Sequence, residues 1–303
     1  MNVEGINEKF STTRKLTKAR PNSTKFLNDM SSYLNLASHQ GRRSDEGGLR
    51  TLGLFKSDEI EPIITVITVV FNAGRGLEET ILSVLNQTYS NIEYIVIDGG
   101  STDETREILY KYDRVIDYWV SEPDRGIYDA MNKGIKASSG DWLNFLNAKD
   151  RFYNTHTIQV LADNYLQGTA KFIYSDVLLT KDGSSKKLEM MPRLICKHER
   201  LIINHQAAIY RKSLHIDHGL YLVAPGLTIS DYIFFSLIDR NSYLKADDPI
   251  AIYDTTGVTQ SKRSSEQQFV IDYLLNGMKK HRFILYFFLY YQYKKIKHIL
   301  RID

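Results

Sequence analysis

The chain has a single cysteine, Cys196, among its 303 residues. No internal disulfide is therefore available, and a lone thiol fits a reducing compartment. No stretch reaches the ~18 apolar residues that a membrane-spanning helix needs. The N-terminus, MNVEGINEKFSTTRKLTKARPNS, carries no apolar core of signal-peptide length. Charge of one sign is not in excess either. Lys and Arg number 39 against 36 Asp and Glu, a net charge of +3, so the total implies no acidic partner. Internal repeats, low-complexity tracts and nucleic-acid recognition motifs are missing too, and no nucleic-acid role is expected. What remains is the profile of a cytoplasmic globular protein, whose 43% hydrophobic fraction suffices for a full core.

Residues 1–60 are polar, with basic clusters at Arg14, Lys15, Lys18 and Arg20 and at Arg42 and Arg43. They read as a partly disordered N-terminal extension with one short helix near Ser23–Leu36. Within it, Gly47–Leu54 (GGLRTLGL) is expected to pack against the main domain. From Ile63 the pattern changes. Ile63–Phe71 and Ile92–Ile97 are continuous β-branched runs, as buried strands are. Between them Leu77, Ile81, Val84 and Leu85 recur at helical spacing. Thr102–Tyr112 and Ile127–Ser138 predict two more helices, and Trp142–Leu146 a further strand. This alternation implies right-handed βαβ crossovers, hence an α/β fold with a mainly parallel sheet flanked by helices. Beyond Asp150, Phe172–Leu179 reads as a strand followed by a hairpin turn at Lys181-Asp182-Gly183-Ser184. Ser230–Ile238 reads as a helix with Asp231 in its first turn, and Gln267–Leu300 as one or two helices. The expected division is thus an extension over 1–60, a catalytic-type domain over 61–265 and a helical tail over 266–303.

Four segments crowd Gly, Asp, Asn and Ser into the turns that follow these elements: FNAG (71–74), IDGGSTDET (97–105), EPDRGIYDAMNKGI (122–135) and FLNAKD (145–150). In an open α/β sheet such turns lie at the carboxyl ends of the strands, where ligands bind. Phe71 followed by Asn72 suits a shelf for a flat base. Asp98, placed directly after a buried strand, is suited to a nucleobase imide or ribose hydroxyl. Gly99 lets a ligand approach the backbone, and Ser101 caps the next helix or touches ligand.

The order and spacing of these motifs resemble family 2 glycosyltransferases with the GT-A fold, and most closely the branch that builds O-antigens, capsules and other bacterial surface polysaccharides. The resemblance covers about residues 62–240. It implies a nucleotide-sugar donor, usually a UDP-sugar, with the base against Phe71 and Asn72 and with Asp98 on the uracil or ribose. Arg125 would then lie close to the diphosphate, with Asp129 and Asn132 ordering its loop or serving only as helix cap and polar face. It further implies inverting transfer with an acidic general base at a helix start, a position that Asp231 occupies in LTISDY (227–232). His205, in Asn204-His205-Gln206-Ala207, would line the donor or acceptor pocket, or be structural.

Relatives in this family carry a DxD-type acidic pair at the fourth motif to hold Mg²⁺ or Mn²⁺. Here the segment reads Asn147-Ala148-Lys149-Asp150, with one carboxylate and an intervening cation. Two readings stand. In the favoured one Asp150, assisted by the Asn147 amide oxygen, holds the metal and Lys149 turns to solvent. In the other, Lys149 itself offsets the diphosphate charge. The tail contributes a last feature: FILYFFLYY (283–291) is flanked by Lys279, Lys280, Arg282, Lys294, Lys295 and Lys297. Segment 279–301 is too short in apolar residues to span a bilayer but suits an anionic membrane surface, or else packs as a terminal helix. The expected function is therefore transfer of a sugar to a hydroxyl of a lipid-linked or growing glycan, peripherally at the cytosolic face of a bacterial inner membrane. The alternatives are a catalytically impaired nucleotide-sugar-binding subunit supporting a partner transferase and a nucleotidyltransferase on the same sheet.

Overall fold

The computed structural model describes residues 9–19, 45–57, 61–181, 184–188, 191–195, 198–255, 262–274 and 284. Its central sheet has eight strands: β1 (Asp45–Gly47), β2 (Ile64–Val70), β3 (Ile92–Asp98), β4 (Tyr118–Ser121), β5 (Trp142–Phe145), β6 (Phe172–Tyr174), β7 (Ala208–Arg211) and β8 (Tyr243–Lys245). They lie in the order β8-β6-β7-β5-β2-β3-β4-β1. The middle block β5-β2-β3-β4 is parallel, and β7 and β1 run antiparallel to their neighbours within it. Every residue of β2 and of β3 is buried, which is why these strands are continuous apolar runs and not alternating ones.

The helices are α1 (Arg75–Leu85), α2 (Thr105–Lys111), α3 (Ile127–Ala137), α4 (Thr157–Asn164), α5 (Leu214–His218), α6 (Ser230–Leu237) and α7 (Lys262–Leu274). On α1 the buried set includes Leu77, Ile81, Val84 and Leu85, the spacing read from the sequence. Packing of α3 on the sheet is close enough that a Cβ on Gly134 would lie 2.4 Å from Cγ2 of Ile67. Only a glycine permits that approach.

Two expectations change in the second half. Phe172–Leu179 is not one strand: β6 ends at Tyr174, and Val177–Lys181 joins a second, four-stranded sheet with Ser184–Leu188, Ala251–Asp254 and Arg151–Phe152. Ser175 and Asp176 make the switch. The Ser175 hydroxyl accepts from the Ile250 amide at 2.7 Å, and Asp176 is ion-paired with Lys245 at 2.8 Å and Lys187 at 3.1 Å. The predicted hairpin holds, with Lys181 opposite Ser184 across a two-residue connection. A cluster of Phe172, Tyr210, His215, Tyr221, Phe234 and Phe235 fastens α5 and α6 to the sheet.

The polar N-terminal segment also behaves differently from a solvated arm where it is described. Asp45–Gly47 forms the edge strand, and Leu49, in the GGLRTLGL stretch, is fully buried. Arg50 reaches the buried Glu93 and the carbonyl of Ala137. The helix expected near Ser23–Leu36 and most of the tail, including 279–301 apart from Ile284, lie outside the described residues.

Candidate functional site

Parallel strands place the ends of β2, β3 and β5 side by side, so the loops that follow them share one edge. Phe71, just past β2, is 64% exposed, unusual for an aromatic that a core could use. Asn72 adopts a left-handed conformation (φ 50°), its side-chain oxygen accepting from the Thr102 amide at 2.9 Å while its own amide donates to the Ser101 hydroxyl at 2.8 Å. Asp98 is fully buried beneath this loop. It accepts from the Ser101 amide and hydroxyl and from the Ser121 hydroxyl at 2.7 Å, so it braces this loop from below and is not, as expected, presented to a uracil or ribose. Gly99 lies under Asp124 and Phe71: a Cβ there would be 2.5 Å from Asp124 Oδ2 and 3.4 Å from the Phe71 ring. Asp124 thus brings to this edge a carboxylate that was not singled out from the sequence, although it sits inside EPDRG. Burial pushes its pKa up, against the opposing hydrogen bond from the Gly126 amide.

The loop bearing Asp124 is tied down by α3. Arg125 is ion-paired with Asp129 at 2.9 Å, and Lys133 with Glu122 at 2.9 Å. Asp129 is held below the ordinary carboxylate range, the pairing with Arg125 outweighing its burial. Arg125 is therefore engaged within its own loop. Asn132 acts elsewhere: it donates to the Tyr221 carbonyl at 2.8 Å and accepts from the Tyr221 amide at 3.0 Å, pinning the segment that leads to α6.

A second group forms where β5 ends and the antiparallel β7 begins. His205, in the turn before β7, hydrogen-bonds through Nδ1 to Asp231 Oδ2 at 2.9 Å and through Nε2 to the Asn147 amide nitrogen at 2.9 Å. The ring thus bridges Asp231 and Asn147. The other oxygen of Asp231 accepts from the Tyr128 hydroxyl at 2.7 Å. Burial raises the Asp231 pKa, but the hydrogen bonds from His205 and Tyr128 prevail and bring it below the usual value. Its side chain is 18% exposed, which leaves an ionised carboxylate open to a substrate at the head of α6. Tyr128 was not singled out beforehand, because nothing local links it to a residue 103 positions away.

The fourth motif does not present a set of metal ligands. Asp150 is 3% exposed and points under the loop, accepting from the Gln206 side chain at 2.7 Å and the Asp254 amide at 3.0 Å. Burial lifts its pKa to about 7, against the hydrogen bonds from Gln206 and the Asp254 amide. The side-chain oxygens of Asn147 and of Gln206, which donates to Asp150, are both buried without a hydrogen-bond partner. Among the described residues no three His, Cys, Asp or Glu side chains gather around a point that would suit a metal ion. A Mg²⁺-type ion at a diphosphate takes one or two protein carboxylates, the rest of its oxygen ligands being phosphates and waters. Asp150, the one carboxylate of this motif, is buried with both oxygens already accepting, and what is left is neutral amide oxygen, so the expected assignment of Asp150 and Asn147 as ligands does not fit this arrangement.

The sequence model of glycosyl transferase family 2 matches residues 65–218. An uncharacterized glycosyltransferase of Mycobacterium tuberculosis is 33% identical over 217 residues, 67% of this chain and 79% of that protein. A PGL/p-HBAD biosynthesis glycosyltransferase of Mycobacterium bovis is 32% identical over 170 residues, 53% of this chain and 63% of that protein. Among solved structures, S. aureus TarS 1–349 superposes with a TM-score of 0.56 at 17% identity, over 73% of this chain and 68% of that one. Its complex with UDP gives a TM-score of 0.53 at 16% identity over the same shares. Sequence match, relatives and fold agree: the chain belongs to glycosyl transferase family 2 and is a glycosyltransferase with the GT-A fold.

Proposed function

We propose that this enzyme inverts configuration as it moves a sugar from a UDP-sugar to a hydroxyl of a lipid-linked or growing surface glycan, of the O-antigen or capsule kind. The observation that carries the reading is the Asp231 carboxylate, ionised and held from both sides by Tyr128 and His205. In the proposed step it takes the proton of the acceptor hydroxyl as that oxygen attacks the anomeric carbon. The bond from the anomeric carbon to the diphosphate breaks on the opposite face, and the nucleoside diphosphate leaves. Exposed Phe71 offers a stacking face for the base, with Gly99 and Asp124 beside it.

Support for uridine comes from the TarS structures, which are complexes with UDP and with UDP-GlcNAc. Support for a biosynthetic glycosyl transfer comes from the relative named PGL/p-HBAD biosynthesis glycosyltransferase. No helix among the described residues is long and apolar enough to cross a membrane, and we assign contact with the cytosolic face of the inner membrane to segment 279–301.

The test is Asp231→Asn, assayed for release of UDP from a panel of UDP-sugars. Turnover should fall about 10²–10⁴-fold, the usual worth of a general base, while UDP affinity stays within about twofold. A variant that turns over like the native enzyme would remove Asp231 from the mechanism.

A further inference from the structure

The motifs at the strand ends carry three cations, and two are already engaged. Arg125 is ion-paired with Asp129 and Lys133 with Glu122. Lys149 is exposed, and its ammonium has no ion-pair or hydrogen-bond partner among the described residues. Its backbone is nonetheless firmly placed. The Lys149 amide donates to the Gly76 carbonyl at 3.1 Å, and the Asp150 amide donates to the Asn147 carbonyl at 3.0 Å. Its φ is 80°, a left-handed conformation that glycine adopts freely and lysine only under strain. The side chain runs across the first turn of α1, where a Cβ on Gly76 would lie 2.5 Å from Lys149 Cγ. A strained lysine therefore stands where a metal site would need a carboxylate, and the neighbouring Asp150 is turned away onto Gln206 and Asp254.

A diphosphate passing the ends of β2 and β5 consequently meets an amide and an ammonium. Transfer requires that the charge growing on the leaving diphosphate be offset, and a positioned side-chain cation is one means of doing so. Lysine binds phosphate as a compact point charge with three donors, and the same charge repels a divalent cation from its surroundings. We infer that Lys149 takes the place of the divalent cation, binding the diphosphate of the donor and of the departing nucleotide, so that donor binding needs no metal. The inference rests on the nucleotide-sugar reading above.

Calorimetric titration of UDP, GDP and dTDP into the full chain, in Mn²⁺ and again in EDTA, tests both together, with Lys149→Gly as the variant. One nucleotide should bind with affinities in Mn²⁺ and EDTA that agree within about twofold. Lys149→Gly should weaken it about tenfold to a hundredfold, the worth of one charge-assisted hydrogen bond. The matching nucleoside, which has no phosphate, should bind both proteins alike. The melting temperature of the variant should hold or rise, because glycine relieves the strained φ, so lost affinity cannot be lost fold. Binding that disappears in EDTA overturns the inference and leaves the donor reading standing. Undiminished affinity in Lys149→Gly overturns it as well. No binding by any of the three nucleotides overturns the donor reading, and the inference with it.

Discussion

Asp231 would be an ordinary helix-start carboxylate but for the two groups that hold it. Hydrogen bonds from His205 and Tyr128 stabilise its charged form, and that keeps the folded-state pKa below the ordinary value despite burial. Catalysis by a base needs the deprotonated form, so a lowered pKa extends activity toward acid. Removing a donor reverses this. In Tyr128→Phe the pKa rises, and the acid limb of the kcat/KM–pH profile should move to higher pH, with His205→Ala moving it in the same direction. A profile that stays in place in both variants would mean that neither group touches the working carboxylate. Asp150 shows the opposite balance. Both its oxygens accept hydrogen bonds, yet burial dominates and raises it to about 7. Two carboxylates of one site are thus set apart by surroundings that composition does not reveal.

At the scale of elements, the short strand β1 and the turn after it close one edge of the sheet. The guanidinium of Arg50 meets Glu93, a carboxylate near the start of fully buried β3 that also accepts from the Thr65 hydroxyl at 2.7 Å and the Ser139 amide at 2.7 Å. Burial raises the Glu93 pKa, but Arg50 and these donors together bring it below the usual value. Arg50→Ala leaves a buried charge without its counter-ion, a change that typically costs about 3–5 kcal/mol. The urea midpoint should fall accordingly, and a loss below about 1 kcal/mol would show that Thr65 and Ser139 satisfy Glu93 alone. Strand β1 was not legible beforehand, because Asp45-Glu46-Gly47 has no apolar alternation and pairs with a strand some 70 residues later. The runs that became β2, β3, α1 and α3 were legible, since the strands are continuous β-branched runs and α1 repeats its apolar residues at helical spacing, both local features of the chain.

On the scale of the whole molecule, basic residues cluster in the segment 279–301 although net charge is only +3. Anionic membranes attract each nearby Lys or Arg by about 1 kcal/mol. Reversing Lys294, Lys295 and Lys297 to Glu should weaken co-sedimentation with phosphatidylserine vesicles at least about tenfold and leave turnover of a soluble acceptor unchanged. Equal sedimentation of both proteins would take the membrane contact away from this segment.

The amino-acid sequence by itself determined the alternation of strands and helices, the places where strands end, and the chemistry displayed there: an aromatic shelf, glycines, carboxylates and a lysine within an expected acidic motif. These are local properties, fixed by periodicity and by turn residues that act within a few positions. Only the tertiary structure decided which of those groups meet. It joined Asn147, His205 and Asp231 into one chain of hydrogen bonds, brought Tyr128 to a residue on another helix, and turned Asp150 inward while leaving Lys149 outside. Such choices depend on where β5 and β7 come to lie side by side, and the free energy that sets them belongs to the packed sheet and not to any one segment.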